Sequence, residues 1–489
     1  MDTNNWTIGA TFIVYILAMF GIGFVAFRRT RSLTDYLLGG RHMGPAVSAL
    51  SAGASDMSGW LLMGLPGFAY ASGLVSFWTA LSLLIGTYLN WKLVAVRLRR
   101  ETERHGALTL PDYIERRFDD RRHMLRLVTA LVTLGFFLLY TTSGLVASGK
   151  LFNQVFGIPY TTAVVLGALA IMLYASFGGF IAVCWTDAVQ GILMIGALLA
   201  VPLVTAIKAG GVGAVSAAVQ NASPHMFDLF QNKAGDAYGP LKIASDMAWG
   251  LGYFGMPHIL ARFMAIESEV KIPRARRIAT TWVATSLLMA LAVGITGMAV
   301  IPEPLVDSET VFISMVKLLF HPFFAGVCLA GVLAAIMSTA DSQLLVCTSA
   351  ITEDFYRTFY RRDATEEELI WVGRISVLGI AAAAVLLALD KDSKVMGIVA
   401  YAWAGFGAAF GPTILFSLYW KRMTQWAALA GILVGGATIV IWKNLQGGVF
   451  DLYELLPGFL ASLAAIVIVT LLTPRGESQG KPMECAGRA

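Results

Sequence analysis

An all-α integral membrane protein is the fold class this sequence predicts, and three observations predict it. Apolar runs of ~20 residues recur from one end of the chain to the other, each long enough to cross a bilayer's hydrocarbon core. Charged residues are 14% of the chain, against about one quarter in soluble domains, so several soluble domains would lack polar surface. The basic residues gather in alternate loops, as a fixed membrane topology requires.

The runs read as thirteen spans: 6–27, 45–72, 75–96, 125–149, 159–182, 188–207, 240–262, 276–301, 311–340, 370–389, 396–420, 424–442 and 453–473. The first has no basic residue before it and Arg28, Arg29 and Arg31 after it. That is not the charge order of a cleavable signal peptide, and it puts the N-terminus outside. Thirteen spans then put the C-terminus inside. The segments this topology places in the cytosol hold 28 of the 36 Lys and Arg; they include Lys92 to Arg126, Arg262 to Arg277 and the tail 474–489.

The net charge of +5 lies in short loops without interleaved aromatics, which is no nucleic-acid surface. Nothing in the sequence calls for an obligate protein partner. Cys184, Cys328, Cys347 and Cys485 have no metal-ligand spacing, and the first three read as small apolar helix residues.

Two spans are irregular. The second carries SAGASDMSG at 51–59, small and polar residues around Asp56; the seventh carries WGLGYFGMPH at 249–258, with three glycines and Pro257. Both are poor continuous helices. Unwound backbone at membrane depth is tolerated only inside protein or along a cavity. Five spans separate the starts of these two, so the units they open enter the membrane from opposite sides. Breaks at matching places in two inverted halves point to the binding site of a secondary transporter.

GLGYFG at 250–255 matches a dinucleotide-binding pattern but follows no strand. No Walker A motif occurs, so energy must come from a gradient or a partner. The intramembrane carboxylates are Asp56, Asp187, Asp246 and Asp341, each costly in hydrocarbon. Asp246 reads as a water-exposed group near the outer end of its span. Asp187 reads as the start of the sixth span, where it could be a helix N-terminal charge. Ser338, Thr339 and Ser342 fall within about one turn and could offer oxygens to a sodium ion or bond back to their own helix. Segment 311–322 could be an external gating helix or ordinary entry into the ninth span.

GGRHMGP at 39–45, SAGASDMSGWLLMGLPG at 51–67, ALTLPDY at 107–113, WTDAVQ at 185–190 and YAWAGFGAAFGP at 401–412 resemble the sodium/solute symporter family, over nearly the whole chain to about residue 473. They are most similar to its members that import L-proline with sodium. The resemblance implies a plasma-membrane symporter with a LeuT-type five-plus-five inverted repeat. It would comprise 45–207 and 240–420, with 1–44 and 421–473 peripheral, 208–239 an external loop and 474–489 a cytoplasmic tail. It implies a sodium site at the backbone carbonyls of Ala54, Met57 and Ala335 and the hydroxyls of Ser338 and Thr339, with Asp56 needed for coupling. It implies a proline site at Ser58, Gly59, Trp60, Tyr140, Trp249, Tyr253 and Pro257. Met256 stands where proline symporters typically carry Gln, and Asp341 where they often carry Ser. A second cation would lie between Asp187, Asp341 and Ser342; a proton on Asp341 or a structural role are the alternatives. Another small amino acid or a monocarboxylate is the rival solute, and a channel or a membrane-embedded enzyme the rival classes.

Overall fold

The computed structural model describes residues 3–28, 33–175 and 179–473, and these are helical almost throughout. Arg29, Arg31, Cys485 and the tail 474–489 lie outside the described residues. Among the described residues, ten helices are long and apolar enough to cross a membrane by length and composition. The second, fifth and seventh segments are the exceptions.

The second and seventh segments break where their glycines and small residues predict. In the second, helix Pro45–Asp56 ends at Met57, whose φ of −85° and ψ of 79° leave the helix, and coiling resumes at Trp60. In the seventh, Pro240–Ala248 passes into a 3-10 stretch, Trp249–Gly255. Met256 is extended, and Pro257 opens a new helix, Pro257–Ala265. The glycines serve close approach as well as freedom. A Cβ on Gly252 would lie 1.9 Å from Trp403 Nε1, and one on Gly255 2.2 Å from the Phe406 carbonyl oxygen. The broken seventh segment is thus pressed against the eleventh, Val395–Tyr419.

Among the described residues, the fifth helix is Tyr160–Ala175. Gly179, extended at ψ −174°, is the N-cap of the sixth, Phe180–Ala209. Asp187 therefore lies two turns inside its helix, fully buried, not at its start. The ninth segment also differs from expectation. Val311–Leu319 is a separate short helix; Pro322 opens the next at its first turn, which runs to Ser349 and continues as a π-helix to Tyr360. His321, extended ahead of Pro322, makes the break.

The ninth and eleventh are the central helices, with 83% and 78% of their apolar windows buried against 28% for the first, sixth and tenth. Both pack against the two broken segments, and exposed Leu, Ile and Val coat the outer helices.

Candidate functional site

The break in the second segment frees backbone groups, and side chains from the fourth and ninth helices meet them. The Asp56 carbonyl accepts from Tyr140 Oη and Trp60 Nε1, each at 3.1 Å, and from the Ser58 N–H at 3.0 Å. One Asp56 carboxylate oxygen accepts from Tyr253 Oη at 2.6 Å. The other is buried without a partner among the described residues. Asp56 and Tyr253 line a cavity of about 10 Å³, room for one water, with Asn90 and Thr87. Asn90 fixes the tyrosine by donating to its carbonyl at 2.8 Å. A buried polar oxygen left over beside an unwound helix is a ligand position in waiting.

Two residues earlier in the same segment, Ser338 Oγ crosses from the ninth helix to donate to the Ala54 carbonyl at 2.8 Å, with the Ala335 carbonyl at 3.3 Å. Thr339 Oγ1 is buried and has no partner among the described residues. Ser338 thus does more than bond back to its own helix, and Thr339 does not bond back at all. Met57 closes this side, fully buried at the helix end. Two hydroxyls and the carbonyls of Ala54 and Ala335 are the oxygen set a hard monovalent cation takes.

A third group was not expected in this form. Arg262, counted from the sequence as a cytosolic loop residue, is 1% exposed. Its Nη2 lies 3.0 Å from Asp187 Oδ2 and donates to Ser342 Oγ at 2.5 Å. Its Nε donates to Ser51 Oγ at 3.0 Å, and that hydroxyl donates to Asp187 Oδ2 at 2.7 Å. Asp187 is thus paired with a guanidinium rather than unpaired. The remaining Asp187 oxygen and both oxygens of Asp341 have no partner among the described residues.

The remaining expected residues are scattered. Trp249 stacks on Tyr453 of the last helix pair at 5.3 Å, and its carbonyl accepts from Trp403 Nε1 at 2.8 Å. Trp403 in turn meets the Tyr253 ring edge-on at 5.0 Å, which joins Trp249 to the Asp56 cluster at one remove. A Cβ on Gly59 would lie 2.8 Å from the Ala147 methyl, so this glycine lets the fourth helix close in. Met256 is fully buried at the break, and Pro257 lines a different cavity, toward Arg262. Asp246 is not water-exposed: it is 8% exposed and accepts from Tyr238 Oη at 2.7 Å.

Sequence reasoning missed Arg262, Asn90 and Trp403, and also a charged cluster at the other end of the molecule. There Lys150 Nζ lies 2.6 Å from Glu309 and 2.7 Å from Asp307. Both Glu309 oxygens accept from the first N–H groups of the eleventh helix, Val395 and Met396, at 3.0 and 2.9 Å. Glu309 thus ties the start of the short helix Val311–Leu319 to two neighbours.

Residues 36–435 match the profile of the Sodium:solute symporter family. A sodium/proline symporter of Salmonella typhimurium is 50% identical over 94% of this chain and 92% of its own length. An osmoregulated proline transporter of Bacillus subtilis is 47% identical over 94% of each. Among solved structures, a sodium-coupled sialic acid symporter superposes with a TM-score of 0.80 at 19% identity, over 97% of this chain and 99% of that one. A nucleobase-cation-symport-1 family transporter superposes with 0.56 at 14% identity, over 92% and 98%.

Proposed function

This chain belongs to the sodium:solute symporter family, and we propose that it imports L-proline across the bacterial cytoplasmic membrane, driven by sodium. The carrying observation is the buried, unpartnered Thr339 hydroxyl beside the Ser338–Ala54 contact, next to the break in the second segment. In this reading sodium is co-substrate, held by Ala54, Met57, Ala335, Ser338 and Thr339. It draws the second and ninth helices together and orders the break. The ordered break presents Ser58, Gly59 and Trp60, with Tyr140 and Tyr253, to the pyrrolidine ring; Trp249, Met256 and Pro257 complete the wall. Aromatic walls suit a compact apolar ring with few polar handles. Asp56 links the two sites, because its carbonyl and its carboxylate hold Tyr140, Trp60 and Tyr253. Each ligand then binds better when the other is present, and linkage makes that reciprocal.

The reading also takes all thirteen segments as spans, with the N-terminus outside and 45–207 and 240–420 as inverted repeats. The helix Val311–Leu319, tethered by Glu309, is the external gate. Asp187, Asp341 and Ser342 hold a second cation. Two carboxylates and one guanidinium leave one negative charge in a buried group, and one further monovalent cation, sodium or a proton, neutralises it.

The test is uptake of labelled L-proline into proteoliposomes. Saturable uptake that needs an inward sodium gradient is expected. Equal uptake with choline outside, at matched potential and pH, would remove the reading; displacement of proline by other amino acids or monocarboxylates would redirect it.

A further inference from the structure

Two cavities lie end to end on the side that the basic loops assign to the cytosol. The inner one, about 40 Å³, reaches Pro257 and Arg262. The outer one, about 440 Å³, is lined by Arg116, Arg126, Arg357 and Arg362 and by Asp112, Glu115 and Glu353. The two share three residues, Leu108, Thr109 and Asp354. Those residues are therefore the neck between them.

The neck is closed by hydrogen bonds from a loop to the end of a central helix. Thr109 is the N-cap of Leu110–Arg117, where its hydroxyl accepts from the Asp112 N–H at 3.1 Å. The same hydroxyl donates to Asp354 Oδ1 at 3.1 Å. Arg126 Nη1 stands 3.8 Å from that oxygen, while Arg126 is itself held by Asp112 and Glu115. Asp354 is 1% exposed, and its Oδ2 has no partner among the described residues. It lies in the π-helical stretch Ala350–Tyr360. A π-helix is a rare, marginal form, and tightening it to an α-helix turns each later side chain about the axis.

We propose that Asp354 is the inner gate: with Thr109 and Arg126 it closes the neck, and its withdrawal joins the buried cavity at Pro257 and Arg262 to the cytosol. The inference rests on the symport reading for what passes through, but not for the closure itself. A carboxylate suits the role because one oxygen engages a loop hydroxyl and a cation together, and both are released when the helix end turns. Asp354 acts through the path rather than on the solute, so it is a positioning residue.

The experiment uses a reporter thiol, Ala261→Cys, on the inner side of the neck, with Cys485 replaced by Ser. Inside-out vesicles are treated with a membrane-impermeant cationic methanethiosulfonate. Slow labelling is expected with the native gate. Labelling about tenfold faster or more is expected with Asp354→Asn, which keeps an oxygen that can accept from Thr109 but loses the charge that strengthens this bond and attracts Arg126. Thr109→Val, which removes the donor to Asp354 together with the cap on the Asp112 N–H and leaves the Asp354 charge in place, is expected to give a smaller increase, and it carries the test alone if Asp354→Asn does not insert. A merely structural role would lower the melting temperature and leave labelling unchanged, and that result in the inserted variants overturns the proposal. Labelling needs no transport. Sodium-independent uptake would therefore remove the symport reading and leave the gate standing.

Discussion

Arg262 and Asp187 form a sealed ion pair: 3.0 Å separates Nη2 from Oδ2, and the side chains are 1% and 0% exposed. Removing one partner leaves a charge without compensation in a low-dielectric interior, at a cost of about 3–5 kcal/mol. Arg262→Gln is therefore expected to melt well below wild type in detergent. The double variant Arg262→Gln with Asp187→Asn is expected to recover part of the loss. A double variant no more stable than Arg262→Gln alone would mean that the two charges do not compensate each other.

Thr339→Ala removes the one hydroxyl of the proposed sodium site that has no other bond to make. The protein is expected to insert normally. The sodium concentration for half-maximal uptake is expected to rise ~5–150-fold, the equivalent of ~1–3 kcal/mol for one lost ligand in a buried site. Sodium titrations of proline uptake measure it directly, and an unchanged midpoint would place the hydroxyl outside the site.

Both helix breaks were legible because their cause is local: small and polar residues at 51–59, and glycines with Pro257 at 249–258. The start of the sixth helix was not. An unbroken apolar run through 180–182 hid the extended Gly179, and Asp187 was misread as a helix end. Arg262 lies in the last turn of an apolar helix, so its sequence position resembles that of any basic residue entering a loop. Its partners Ser51, Asp187 and Ser342 come from three other segments, and only tertiary packing brings them to it. Asp354 was missed for a similar reason. The ninth helix continues past its expected end at 340 to Tyr360, and Thr109 reaches it from a loop 245 residues earlier.

The cluster at the opposite end of the molecule gives a pH dependence. Burial works to raise the Asp307 carboxyl, but hydrogen bonds from Lys150 and Lys394 more than offset it and hold the group below the ordinary aspartate range. A lowered carboxyl stabilises the fold in full above its unfolded value, about pH 4, and loses that contribution as pH falls through the folded value. Wild type is therefore expected to lose melting temperature below about pH 4 more steeply than Asp307→Asn. Parallel curves for the two proteins would show that the lysines do not hold the carboxylate.

Asp341 carries the last prediction. Ser338, Asp341 and Ser342 stand at i, i+3 and i+4 on the ninth helix and share one face. Ser342 accepts from Arg262, which already balances Asp187, while neither oxygen of Asp341 has a partner among the described residues. An isolated carboxylate in this setting is stable only with a bound proton or a bound cation. If sodium is the second cation, uptake against sodium at saturating proline should be cooperative in wild type and lose its cooperativity in Asp341→Ser. If a proton is bound, both proteins should respond to one sodium, and the substitution should instead change how uptake depends on pH. The two cases separate in one experiment, a set of sodium titrations at several pH values for both proteins. A Hill coefficient near one in both, with identical pH profiles, would leave Asp341 no cation to bind and would assign it to helix packing.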